Sequence, residues 1–74
     1  MLNMQDIHAY WYASKNEHGK EEVGIEYSGT IFHGVKQKVY ELIDGVWVDK
    51  KTKQTVESNI LALIEDVLME YTYF

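Results

Sequence analysis

The 74-residue chain contains no cysteine, no proline and no arginine. The missing cysteine rules out a disulfide staple and any thiolate-ligated metal, and it suits a reducing compartment. Without proline, the breaks between elements must come from glycine and polar turn residues. Arginine reads guanine and phosphate with two parallel hydrogen bonds, so its absence argues against sequence-specific nucleic-acid recognition. Long apolar runs are missing as well: no stretch reaches the roughly 20 residues of a membrane span. The first residues, MLNMQDIHAYW, have neither the basic region nor the apolar run of a signal peptide. These features read as a cytoplasmic, soluble protein with no membrane partner.

What is present is a single domain, residues 1–74, rich in tyrosine (six) and with two tryptophans. A chain this short buries only about 60% of its unfolded surface, so its core is thin, and self-association or a tight partner gains weight. The net charge of −5 is uneven. All seven lysines lie at or before Lys53, while Glu57, Glu65, Asp66 and Glu70 follow with no cation among them.

The organising stretch is VKQKVYELIDGVWV, Val35 to Val48, two β-prone runs around Asp44-Gly45. Asp-Gly between apolar runs signals a type I′ hairpin turn, which needs positive φ at both central residues. His18-Gly19 and His33-Gly34 supply two further turns. The spacing predicts four strands: Ile7–Ser14, Val23–Phe32, Val35–Ile43 and Val46–Asp49. Thr55 stands as a candidate helix cap. Val56, Ile60, Leu63, Ile64, Val67, Leu68 and Tyr71 recur at three- and four-residue steps, predicting a helix over Val56–Tyr71. The fold class is α+β: a four-stranded antiparallel meander, order 1-2-3-4, with one C-terminal helix on one face (ββββα).

With two-residue turns at His33-Gly34 and Asp44-Gly45, Tyr27 faces Tyr40, Ile25 faces Leu42 and Glu26 faces Glu41. One sheet face then carries Tyr10, Tyr12, Ile25, Tyr27, Ile31, Tyr40, Leu42 and Trp47. The other carries Ile7, Trp11, Phe32, Val35, Val39, Ile43, Val46 and Val48. Two facing carboxylates under a helix would be very costly, so the helix belongs on the tyrosine face and the second face stays at least partly open.

An open apolar face marks an interaction site. Trp11, Val39, Ile43, Val46 and Val48 are therefore candidate partner-binding residues. The lysine-free first strand, with Tyr10, Trp11 and Tyr12, is an unguarded edge that could pair with another chain or its own copy, giving a homodimer or larger homo-oligomer. Glu57, Glu65, Asp66 and Glu70 form an acidic helix face able to imitate a row of phosphates in a basic cleft. Catalytic signatures are lacking: there is no HExxH, GxSxG, P-loop or dinucleotide fingerprint. His8, His18 and His33 have no metal-ligand spacing. The chain reads as a non-enzyme without cofactor or metal.

The expected function is that of a small acidic protein-binding module that inhibits or regulates a protein partner, with nucleic-acid-handling proteins among the candidates. In size and charge the chain resembles the small acidic accessory proteins of phages and mobile elements. The alternatives are a homo-oligomeric structural protein, or a weak single-strand nucleic-acid binder using Lys36, Lys38, Lys51 and Lys53 with His33.

Overall fold

The computed structural model describes residues 7–27 and 36–72. The element order is β1 (Ile7–Ala13), β2 (Glu22–Tyr27), β3 (Lys36–Ile43), β4 (Val46–Asp49) and α1 (Ser58–Thr72). The strands form one antiparallel sheet in the order β1-β2-β3-β4. The expected ββββα meander is thus the observed fold.

The β3–β4 turn forms as its sequence requires. Asp44 and Gly45 have φ of 51° and 79°, and the pairs Ile43–Val46 and Leu42–Trp47 close the hairpin.

The β2–β3 register differs from the expected one. Val23, not Tyr27, lies opposite Tyr40; Ile25 faces Lys38, and Tyr27 faces Lys36. The carboxylate facing Glu41 is Glu22, whereas Glu26 faces Gln37. The described part of β2 is Glu22–Tyr27, and the remainder of the expected Val23–Phe32 lies outside the described residues. The His33-Gly34 turn, with Ile31, Phe32 and Val35, lies outside the described residues. The offset is four residues. Because side chains alternate with period two, an even offset leaves every residue on its expected face.

The helix therefore covers the expected side. Leu63, Ile64 and Val67 are buried against Val23, Ile25, Tyr27, Tyr40 and Trp47. Tyr10, Tyr12 and Leu42 border this core, as do Val56, Ile60 and Leu68. Each fully buried aliphatic side chain here contributes about 1.5–3 kcal/mol.

Ile7 joins the core too, a correction to its place on the second face. The β1–β2 register slips between Ile7 and Ala9, so one extra residue turns Ile7 to the helix side.

The helix begins two residues later than expected. Thr55 does not cap it; instead it bridges to Val48 beside β4. The carbonyl of Glu57 accepts the Leu61 N–H at 2.9 Å and opens α1. Before that, the chain reverses in a tight loop at Asp49. Asp49 Oδ1 accepts the N–H groups of Lys51 and Thr52, and its carbonyl accepts that of Lys53. Lys53 turns through a left-handed conformation, φ 66°. Among the described residues, no helix is long and apolar enough to cross a membrane.

Candidate functional site

Two regions of the surface carry chemistry: the second face of the sheet and the outer face of α1.

On the second face, Trp11 lies across β2 above Gly24. The fit is so close that a Cβ on Gly24 would overlap the indole ring. An isolated glycine inside a strand marks a close approach of this kind. The indole Nε1–H donates to Glu22 Oε2 at 3.2 Å.

Next to Trp11 is a polar network that closes much of this face. Glu41 is fully buried. Its Oε2 accepts from Asn16 Nδ2 at 2.7 Å and meets His18 Nδ1 at 2.7 Å, while Oε1 accepts from Lys53 Nζ at 3.1 Å. Asn16 Nδ2 also donates to Glu22 Oε1 at 3.0 Å, bridging the two facing carboxylates. Lys50 Nζ donates to Glu22 Oε1 at 2.8 Å and to Glu17 Oε1. The β1–β2 connection is shaped to deliver these groups. Asn16 Oδ1 accepts the N–H groups of His18 and Lys20, and Gly19 turns at φ 74°.

Electrostatics follow from this wiring. Burial pushes the Glu41 carboxyl towards its neutral form. The hydrogen bonds from Asn16, His18 and Lys53 together outweigh that and hold it down at about 2. Burial likewise opposes the charge on Glu22, and donation from Lys50, Asn16 and Trp11 lowers it. Lys50 is raised by its hydrogen bonds to Glu17 and then Glu22. The second face is therefore less open than expected, and the facing carboxylates are tolerated because Asn16, His18, Lys50 and Lys53 from two loops, with Trp11, hydrogen-bond them.

The expected partner-binding residues separate into distinct places. Tyr10 and Tyr12 lie on the helix side, packed on Tyr71 with ring centroids 6.0 and 5.8 Å away. The Tyr71 hydroxyl also reaches the Tyr10 carbonyl at 3.5 Å, so the β1 edge is partly capped by the helix end. Trp11, Val39 and Ile43 are half-buried, Val48 is buried and Val46 is exposed. Glu57, Glu65, Asp66 and Glu70 are all exposed. Leu61, Met69 and Tyr71 are exposed among them, at 37%, 55% and 43%.

Of the lysines expected at one end of the sheet, Lys53 is engaged with Glu41, and Lys38 stands 4.0 Å from Asp49. His33 lies outside the described residues.

On the helix side, α1 leaves a cleft of about 330 Å³ beside β3 and β4, bordered by Tyr27, Lys38, Tyr40, Thr55 and Ile60. The hydroxyls of Tyr27 and Tyr40 are 3.4 Å apart, and burial, then the Tyr27 contact, raises Tyr40 above the usual phenol range.

Sequence reasoning missed the roles of Asn16, Glu22 and Lys50. Gly24 inside a strand was the one local signal of a close approach, and Glu41 at a position facing another acid was a sign that cations had to converge there. No protein-family model, curated protein or solved structure matches this chain.

Proposed function

We propose that this chain is a small acidic binding module that inhibits or regulates a basic protein partner, docking through the outer face of α1. One observation carries the reading. Two of the four exposed large apolar side chains among the described residues (Leu61 and Met69) stand on the outer face of α1, whereas the half-exposed Tyr71 turns to β1. Around them are Glu57, Glu65, Asp66 and Glu70, with no cation from Thr55 onward. Exposed apolar groups ringed by charge of one sign match an interface whose core excludes water and whose rim selects the partner. A nucleic-acid-handling protein offers the complementary basic cleft.

Affinity capture with mass spectrometry tests this, with the doubly reversed variant Glu65→Lys, Asp66→Lys as control. The wild type should retain a basic protein in a salt-sensitive manner, and the variant should lose it while keeping its fold by circular dichroism. Retention of the same proteins by both baits sinks the proposal.

A further inference from the structure

The binding reading makes no use of the His18–Glu41 pair on the opposite face. His18 stands at the tip of the β1–β2 connection with its side chain 50% exposed, while the Glu41 side chain beneath it is 1% exposed. Nδ1 is 2.7 Å from Glu41 Oε2. An ionised carboxylate can only accept, so Nδ1 carries the proton and, in the neutral ring, Nε2 holds the lone pair. Asn16 and Lys53 fix the carboxylate on its other sides, and the Asx turn at Asn16 fixes the loop. Nε2 itself lies 4.0 Å from Glu17 Oε1, a residue whose side chain is 60% exposed. A buried carboxylate that sets the tautomer of a partly exposed imidazole is the orienting half of a nucleophilic or general-base arrangement.

We propose that His18 Nε2 is an acyl-accepting nucleophile towards small neutral activated esters, with Glu41 as its positioning residue. The flanking charges select the electrophile. Glu41 at Nδ1 stabilises a ring cation, while Lys50 on Glu17 and Lys53 on Glu41 offset most of the negative charge around the ring, which suits a neutral donor.

The reaction balances with water as the only co-reactant. Nε2 attacks the ester carbonyl, the N–C bond forms, and the C–O bond to the leaving alkoxide breaks. The Nδ1 proton stays on the ring, hydrogen-bonded to Glu41, as the positive acylimidazolium forms. Water then attacks the acyl carbon and the N–C bond breaks. The water's proton goes to the alkoxide, leaving a carboxylic acid, an alcohol and the neutral ring.

The test uses p-nitrophenyl acetate for turnover and diethyl pyrocarbonate for site-resolved acylation, read by peptide mass spectrometry. His8, exposed on β1, is the internal control. Carbethoxylation of His18 should outpace that of His8 by about tenfold or more, and His18→Ala should remove most ester hydrolysis while His8→Ala leaves it. Ring nitrogen NMR shifts should report the Nδ1–H tautomer for His18, a signature that a merely structural contact to a neutral carboxyl would not give. Glu41→Gln should abolish that tautomer preference and slow acylation to the His8 rate. Equal acylation of His18 and His8 in the unaltered chain overturns the proposal whether or not Glu41→Gln folds. So does unchanged hydrolysis in a folded His18→Ala.

Discussion

The two faces of the sheet are made from the same four strands but are closed by different physics. The helix side is sealed by apolar burial: Val23, Ile25, Tyr27, Tyr40 and Trp47 against Leu63, Ile64 and Val67. That attraction has no direction and tolerates small shifts in register. On the other side, Trp11 rests on a glycine and Glu41 is held by three donors from two loops. Directional bonds of this kind contribute little net stability each, but a buried carboxylate left without them is expensive. The contrast teaches that the apolar side supplies the stability, while the polar side specifies which residues stand opposite which. Of the registers that keep the faces intact, the observed one puts both facing carboxylates within reach of Asn16. Lys50 then takes Glu22 and Lys53 takes Glu41.

The largest effect should come from the apolar side. Ile64 is fully buried, and Ile64→Ala should cost about 2–5 kcal/mol. Domains of this kind have only about 5–15 kcal/mol in total, so thermal and urea unfolding should show a protein near its limit. A loss under about 1 kcal/mol would mean that the helix is not the chief seal.

Gly24→Ala comes next, because the added Cβ meets the Trp11 ring. Overpacking of this sort costs about 1–3 kcal/mol. Trp11→Ala in the same chain should recover part of the loss, so a double-mutant cycle by urea titration should give a clear coupling. Additive losses would show that Trp11 does not sit on Gly24.

The smallest effect, and the one specific to the polar side, is a dependence on pH. Glu41 titrates at about 2 in the folded protein against an ordinary value of 4.5. Between these values the unfolded chain binds more protons than the folded one, so stability rises with pH. The contribution of Glu41 is complete above about pH 4.5 and is lost as pH falls towards 2. Glu41→Gln should flatten that part of the curve. An unchanged acid limb would remove Glu41 from the explanation.

The strand order, the Asp44-Gly45 turn and the helical stripe through Ile60, Leu63, Ile64 and Val67 were legible because each is a local pattern. The side covered by the helix was legible for a related reason: alternation survives any even shift of register. The pairing of Glu22 with Glu41 was not, since it depended on the length of the β2–β3 connection, which a His-Gly dipeptide does not settle. The start of α1 was missed because Thr55 has two uses for its backbone, a cap or a bridge, and Val48 claimed it. The acidic outer face of α1 was visible from spacing alone, whereas the exposure of Leu61 and Met69 on it was not.

Local periodicity and turn chemistry, written into neighbouring residues, were enough to dictate four strands, one helix and the sidedness of each. The meeting of Asn16, His18, Glu22, Glu41, Lys50 and Lys53 was settled only when the chain folded. These groups come from three separate segments, and no interaction within any one segment fixes where the other two will lie.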